Sequence, residues 1–428
     1  MSRTRQSIPA LLVALPLMPS PLLAQIDIDL KPIEYSTAQT TDSVQRLKAA
    51  IASGEVQLAY DRQLGWLPAL LDALDTPANS QTLVFSKTSL QRRQISPSRP
   101  RALYFSDEVY IGYVRHGRSL ELSAVDPKLG AVFYTVDQKN RERPVISRDT
   151  GQCLSCHNTR RTRDVPGYLV RSVFPDRRGE PITQLGSETA DPRTPFKKRF
   201  GGWYVTGSHG GMRHRGNSIA DEDSATLIDG EAGANLATLD GLVDTSSYLE
   251  RGSDLVALMV LEHQSQMHNA ITVAGYQARK GIYYDRALNS VTGDPPDTMS
   301  NSTRRRIESA GEALLQCLLF SGEAPLTSPV TGSTTFATDF AAQGPDDAQG
   351  RSLRQFDLSE RLFRFPCSFL IYSDSWDALP TAMTDCLRRR LTEVLTGEDR
   401  SEAFRHLSAG DRRAILEILR ATKPERLL

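Results

Sequence analysis

The sequence predicts an α+β fold, in which a β-rich half is followed by a mainly helical half. Between residues 81 and 136 the apolar residues form short runs separated by turn-forming residues, as strands do. From Ser253 onwards they recur at helical spacing instead. A third observation, a cluster of cysteine and histidine at residues 153–157, lies in the loop that follows the last strand-like run.

The first 24 residues have the pattern of a secretory signal peptide. Arg3 and Arg5 precede an apolar stretch from Ile8 to Ala24, which ends in a small residue suited to cleavage before Gln25. Four prolines interrupt the stretch, which favours a signal over a membrane anchor. No later segment approaches membrane length. We therefore expect a periplasmic or secreted mature chain without a transmembrane segment.

Residues 25–80 are predicted to form a helical preface. Val44, Leu47 and Ile51 fall at helical spacing within 41–53, a stretch that stops at Gly54, and residues 67–74 form a second short helix. Residues 81–250 are then predicted to form a β-rich domain that carries the cysteine cluster. Its predicted strands are 83–85, 102–105, 109–114, 120–125, 131–136 and, after the cluster, 168–174.

Residues 251–428 are predicted to be mainly helical. Within them, residues 322–359 are rich in Gly, Ser, Thr, Pro and Asp, which predicts a long surface loop. The predicted helices are 254–274, 304–320, 383–395 and a final pair within 401–422.

The cluster reads Cys153-Leu154-Ser155-Cys156-His157, which is the C-x-x-C-H spacing of covalent haem attachment. Two thiols three positions apart can form thioether bonds to one porphyrin, and the adjacent imidazole can ligate its iron. Cys153 and Cys156 are therefore the predicted attachment residues, and His157 is the predicted proximal ligand. The motif occurs once, so the sequence predicts a single covalent haem c.

C-x-x-C also occurs in zinc sites and in thiol redox pairs. Zinc would need further ligands, but Cys317, Cys367 and Cys386 do not supply a second C-x-x-C pair. A redox pair would open a helix, whereas polar residues 158–163 follow the motif. For the remaining cysteines, a disulfide between Cys367 and Cys386 and reduced, buried thiols are both compatible with the sequence.

The sixth iron ligand has three candidates. His209 lies in a glycine-rich segment, residues 207–214, that would allow close approach to a flat ring. His263 and Met267 lie one turn apart on the apolar stripe of the predicted helix 254–274. The alternatives are a turn with solvated histidines for His209, and ordinary core positions for His263 and Met267.

Charge is balanced over the whole chain, with 51 basic and 51 acidic residues. Net charge therefore gives no reason to expect nucleic acid. Residues 151–200 are locally basic, with ten basic against five acidic residues. A basic surface around the haem would attract an acidic redox partner protein. The same basic residues could equally well be ordinary solvated side chains or partners of the haem propionates.

Two resemblances concern the motif and its surroundings. The motif together with residues 168–175 resembles the haem segment of β-sheet c-type cytochromes of the cytochrome P460 type, and more faintly that of single-haem PAS-like periplasmic sensors. Residues 201–207, 350–354 and 366–372 resemble stretches of secreted single-haem cytochrome c domain proteins of environmental bacteria. These resemblances imply a haem but bring no substrate.

The expected function is therefore that of an extracytoplasmic c-type cytochrome that binds one covalent haem and transfers electrons. The alternatives are a haem enzyme that acts on a small oxidant or nitrogen compound at an open iron site, and a haem-based sensor. Whether the chain is an enzyme depends on the sixth ligand, because an iron with two strong protein ligands does not bind substrate.

Overall fold

The computed structural model describes residues 27–220 and 228–423, and the predicted signal peptide lies outside them. Within this part the fold is α+β, as the sequence predicts, with an antiparallel sheet in the N-terminal half and helices in the C-terminal half. The first elements are α1 (Ser43–Ser53), α2 (Leu67–Ala73), β1 (Thr82–Val84), β2 (Arg101–Phe105), β3 (Val109–Val114), β4 (Ser119–Asp126), β5 (Gly130–Asp137), β6 (Ile146–Asp149) and α3 (Leu154–His157).

The remaining elements continue with short strand pairs and then helices. They are β7 (Arg171–Val173), β8 (Ser187–Thr189), β9 (Trp203–Tyr204), β10 (Gly207–Ser208), α4 (Leu255–Thr292), α5 (Asn301–Leu318), β11 (Thr331–Gly332), α6 (Phe336–Ala341), α7 (Asp374–Asp377), α8 (Thr381–Thr396) and α9 (Ala409–Thr422).

The main sheet has seven strands in the order β6-β5-β4-β3-β2-β1-β9, all antiparallel to their neighbours. The five strands predicted before the motif all form, and β2 to β5 make a simple meander. The turn between β4 and β5 explains their register. Asp126 Oδ1 accepts the backbone N–H groups of Lys128 and Leu129, and Gly130 adopts a φ of 75° that a side chain would disfavour.

Strands β6 and β9 were not predicted, because β6 is largely polar and β9 has only two residues. Only part of the strand predicted at 168–174 forms, as β7. Its partner is β8 rather than the main sheet, and each of the two strands has three residues. Short elements of this kind carry too few alternating residues to be read from the sequence.

The helical preface covers one face of the sheet. The Tyr134 hydroxyl of β5 donates to Asp42 Oδ2 at 2.6 Å, and Asp42 also caps α1. Arg148 of β6 donates to the carbonyl oxygen of Tyr35 at 2.6 Å. Side chains alternate along a strand, so the residues next to Tyr134 and Arg148, such as Phe133 and Asp149, point to the opposite face of the sheet.

Helix α4 covers part of that opposite face. Its Gln264 Nε2 donates to the Tyr110 hydroxyl of β3 at 2.9 Å. The helix begins at its Asp254 cap, as predicted, but continues to Thr292 instead of ending near Ala274. The additional turns carry exposed residues such as Leu288 and Val291, so their sequence lacks the apolar stripe on which the prediction depended.

Helices α5, α8 and α9 complete the C-terminal half, with α5 packed along α4 and α8 packed on α5. Residues 322–359 differ from the predicted long surface loop. They contain β11 and α6 and bury Phe336, Phe340 and Leu353. These few apolar residues anchor a polar segment to the core. Within residues 27–220 and 228–423, no helix has the length and apolar character needed to cross a membrane.

Candidate functional site

The C-x-x-C-H motif begins after a short turn, residues 150–152, that follows the end of β6 at Asp149, and it forms one helical turn. Asp149 Oδ1 accepts the backbone N–H of Gly151 at 3.0 Å and that of Cys153 at 2.9 Å, which fixes the start of the turn. The backbone N–H of His157 then donates to the Cys153 carbonyl oxygen at 2.9 Å. The turn is anchored by buried Leu154 and leaves Cys156 exposed and Cys153 half-buried.

The imidazole of His157 is fixed in one orientation. Its Nδ1 donates to the carbonyl oxygen of Gly167 at 2.8 Å, and its ring packs against Phe133 with 4.7 Å between centroids. Burial lowers the pKa of His157, which favours the neutral ring. Nε2 has no hydrogen-bond partner among the described residues. A neutral histidine with Nδ1–H bonded to a carbonyl and Nε2 available is the usual arrangement of a metal ligand.

Helix α4 holds the segment that orients His157. The Asn269 side chain accepts the backbone N–H of Tyr168 and donates to its carbonyl oxygen, both at 2.8 Å. The backbone N–H of Gly167 donates to the His157 carbonyl oxygen at 2.9 Å. A Cβ on Gly167 would lie 2.2 Å from Asn269 Oδ1, so only glycine fits without displacing this amide. Residues far apart in sequence thus position the imidazole.

A cavity of about 900 Å³ lies between the motif and the sheet face that carries Phe133, and we call it the sheet cavity. Its size is within the range of about 300–1,000 Å³ that small-molecule and cofactor sites occupy. The three motif residues Cys153, Cys156 and His157 all line it. Its apolar walls include Val84, Leu103, Phe133, Val170, Trp203 and Leu261.

An ion pair lies on the floor of the sheet cavity. Arg101 of β2 contacts Glu121 of β4 at 2.9 Å, with side chains 18% and 13% exposed. Gly112 of β3 lies between them, and a Cβ there would come 2.2 Å from Arg101 Nη2. The glycine therefore makes room for the guanidinium. Arg101 Nε is buried and has no hydrogen-bond partner among the described residues.

The charged residues that line the sheet cavity are almost all basic. Besides Arg101, they include Lys87, Arg92, Arg160, Arg161 and Arg171, whereas Glu121 is the one acidic residue among the described lining residues. Arg171 donates to Ser187 Oγ at 2.9 Å, and burial lowers its pKa. Its Nε is a further buried donor without a partner in the described part of the chain. This arrangement suits a ligand that is apolar in its body and anionic at its edge.

All five cysteines are free thiols, including Cys367 and Cys386, for which a disulfide was one of two open possibilities. Burial, followed by the nearby Asp149 carboxylate, raises the pKa of the Cys153 thiol to about 12. Cys153 is therefore protonated at neutral pH and a poor nucleophile by itself. That property does not suit a thiol redox pair, which needs a thiolate of low pKa.

His209, a predicted sixth ligand, does not line the sheet cavity. Its Nδ1 donates to the Met212 carbonyl oxygen at 2.8 Å, and its Nε2 accepts the backbone N–H of Asn235 at 3.0 Å. Both ring nitrogens are thus occupied within the protein, and the ring packs 4.8 Å from that of His214.

The other two candidates also lie away from the sheet cavity. His263 is buried with its ring stacked on Phe320 at 4.2 Å, and its Nε2 lies 2.7 Å from Ser368 Oγ. Met267 is a fully buried core residue. The structure therefore does not bring these side chains to His157, and their assignment as ligands stays a prediction.

Several residues of this site were not identified from the sequence, namely Arg101, Gly112, Glu121, Gly167 and Asn269. One signal was present. Arg101 and Glu121 occupy inward positions of strands whose other residues are mainly apolar, and a charge there indicates a polar site. The contacts of Gly167 and Asn269 depend on the tertiary fold, so the amino-acid sequence around either residue does not indicate them.

Within residues 27–220 and 228–423, no group of three or more His, Cys, Asp and Glu side chains converges as a metal site would require. No protein-family model, curated protein or solved structure matches this chain.

Proposed function

We propose that this chain is a single-haem c-type cytochrome in which Cys153 and Cys156 carry the two thioether bonds and His157 is the proximal ligand. The observation that carries the proposal is the state of His157. Its Nδ1 is committed to Gly167, its Nε2 has no partner among the described residues, and the residue lines a cavity together with both motif thiols. A haem supplies an iron that changes oxidation state and, where one axial position lacks a protein ligand, binds a small molecule.

The sheet cavity suits this cofactor in both size and chemistry. Its apolar walls, including Phe133 and Trp203, would exclude water from a porphyrin face. The basic residues Arg160 and Arg171, which do not line any other cavity described below, would pair with carboxylates at the edge of such a ligand. A structural C-x-x-C turn would not need a cavity of this volume beside it.

The lining of the sheet cavity also supports an open sixth position. His157 is the one histidine among its described lining residues, and no methionine lines it. Of the three functions that the motif allows, this lining favours a haem enzyme or a haem-based sensor that binds a small molecule over an electron carrier. Arg101 would donate to a small polar ligand, and Glu121 would hold the guanidinium in place through their ion pair.

Electron transfer is a second candidate, and a specific observation favours it. Cys156 is exposed, and the neighbouring Arg160 and Arg161 have no carboxylate within ion-pair distance in the described part of the chain, so the attached edge of a cofactor would face solvent within a basic surface. An acidic redox partner would be attracted to that surface. Both candidates share an extracytoplasmic location, because C-x-x-C-H haem attachment in bacteria takes place outside the cytoplasm and residues 1–24 have the pattern of an export signal.

A carbon monoxide titration separates the two candidates. The full chain is produced in a bacterium that matures c-type cytochromes, reduced with dithionite, and titrated while its absorption spectrum is recorded. Rapid and complete conversion at near-stoichiometric carbon monoxide is expected for an open position. Slow or incomplete conversion would favour two strong protein ligands and therefore electron transfer.

A further inference from the structure

A second cavity of about 580 Å³ lies next to the sheet cavity, and we call it the helix cavity. Helices α4 and α5 form one side, through residues such as Ala270 and Ala313, and the segment before β7 forms the other. The two cavities share walls, because each is lined by Arg161, Tyr168, Val170 and Ser265. A ligand in the helix cavity would therefore be separated from the sheet cavity by single side chains.

The helix cavity has positive charge that the protein does not neutralise. Arg161, Arg163 and Arg193 line it. Arg193 forms an ion pair with Asp191 at 2.5 Å, whereas neither Arg161 nor Arg163 has a carboxylate within ion-pair distance among the described residues. Arg161 Nη1 lies 3.4 Å from each of the hydroxyls of Ser187 and Thr189, which are weak contacts that a better acceptor would replace.

The other acidic residue that lines the helix cavity is Glu323. Burial raises the pKa of Glu323 to about 7, so this carboxyl is protonated over part of the physiological range. It can then donate a hydrogen bond instead of repelling an anion. The electrostatics of the helix cavity therefore favour an anionic ligand, most strongly below neutral pH.

Size and wall chemistry limit the kind of anion. A volume of about 580 Å³ exceeds what an inorganic oxyanion needs and falls in the range of about 300–1,000 Å³ typical of organic ligands. Val170, Ala270 and Phe320 form an apolar part of its wall. Guanidinium groups pair with carboxylates through two parallel hydrogen bonds.

We propose that the helix cavity is a binding site for a small organic carboxylate with an apolar body, held by Arg161 and Arg163. This site adjoins the predicted haem site, with which it shares Arg161, Tyr168, Val170 and Ser265, and it does not require the haem to be attached. A carboxylate bound there would contact Tyr168, the residue whose backbone Asn269 holds next to His157.

The proposal is tested by isothermal titration calorimetry of the full-length, haem-matured protein with benzoate, phenylacetate and hexanoate. Benzamide serves as the neutral counterpart of benzoate. We expect at least one carboxylate to bind with submillimolar affinity, and benzamide to bind about tenfold or more weakly than benzoate, because benzamide lacks the negative charge that strengthens hydrogen bonds from a guanidinium group. Arg161→Gln and Arg163→Gln should each weaken carboxylate binding by a similar factor.

Two further variants locate the site. Ala313→Phe should fill the helix cavity from α5 and abolish binding, while Arg305→Gln, an exposed position on the same helix that lines neither cavity, should leave the affinity unchanged. If no carboxylate binds at up to about 10 mM, far above the affinity of an ordinary weak ligand, the proposal is overturned. It is also overturned if the arginine variants bind as the unmodified chain does.

The haem content of every sample is measured from its absorption spectrum. Protein that carries haem but binds no carboxylate contradicts this proposal and leaves the haem assignment standing. Protein without covalent haem that binds benzoate contradicts the haem assignment and supports the carboxylate site.

Discussion

His157 donates from Nδ1 to the backbone carbonyl of Gly167 at 2.8 Å, and this bond joins the C-x-x-C-H turn to the segment that α4 holds. It leaves Nε2 as the ring nitrogen with its lone pair available. Because Asn269 bonds both backbone groups of the next residue, Tyr168, the orientation of the imidazole depends on a helix more than 100 positions away in sequence.

The first prediction concerns Asn269. Replacing it with leucine leaves the buried N–H and carbonyl groups of Tyr168 without partners, which costs about 1–3 kcal/mol for each unsatisfied group. We expect a loss of about 2–4 kcal/mol in the free energy of unfolding, measured by denaturant titration, together with a lower yield of matured haem protein.

Gln277→Leu is the matched control, since Gln277 lies on the same helix and its side chain has no hydrogen bond within residues 27–220 and 228–423. That variant should unfold within about 0.5 kcal/mol of the unmodified chain, as substitutions away from buried networks usually do. Equal stability of the Asn269→Leu variant and the unmodified chain would contradict the role given to Asn269.

The second prediction concerns the floor of the sheet cavity. A methyl group at position 112 must displace the Arg101 guanidinium, which is the mobile end of a flexible side chain, so Gly112→Ala should fold. We expect its ferric haem form to bind cyanide about two- to tenfold more weakly, as loss of one hydrogen-bond donor implies. Arg101→Gln should show the same change.

Gly211→Ala serves as the control for this experiment, because a Cβ there would meet only Ser328 Oγ at 3.9 Å. Its cyanide affinity should equal that of the unmodified chain. If Gly112→Ala and Arg101→Gln also bind cyanide unchanged, Arg101 does not face the ligand.

The third prediction concerns the sixth iron ligand. His209, His263 and Met267 do not line the sheet cavity, so replacing each with alanine should leave the ferrous absorption spectrum of the haem protein unchanged. His157→Ala should alter it strongly. A spectral change confined to one of the three alanine variants would identify that residue as a ligand and exclude an open position.

The fourth prediction concerns pH. Burial raises the pKa of Glu323 from 4.5 to about 7, against the opposing effect of Arg199 and Arg361. The folded state therefore holds a proton that the unfolded state releases, and this stabilisation is fully present below pH 4.5 and is lost as the pH rises to about 7. The loss is at most about 3 kcal/mol, at 1.36 kcal/mol for each pH unit.

Denaturant titrations between pH 4.5 and 7.5 test this directly. The stability of the unmodified chain relative to the Glu323→Gln variant should fall across that interval. Glu360→Gln, at an exposed position, should keep the pH dependence of the unmodified chain. Parallel curves for the Glu323→Gln variant and the unmodified chain would show that this carboxyl has its ordinary pKa in the folded protein.

The sequence was most informative where its pattern is local. Short apolar runs between turn residues predicted the meander of β2 to β5, and apolar residues at helical spacing predicted the first half of α4. It was least informative where contacts link distant segments. The pairing of Arg101 with Glu121 across β3, the placement of Gly167 against Asn269, and the burial of Phe336 within a polar stretch all depend on the assembled fold.

The most direct test of the central claim is the intact mass of the processed protein, made in a host that matures c-type cytochromes and measured under denaturing conditions. We predict the polypeptide mass plus one haem, and the bare polypeptide mass for a variant that carries both Cys153→Ala and Cys156→Ala. A bare polypeptide mass for the unmodified chain, from a host that attaches haem to a known cytochrome in parallel, would contradict the account.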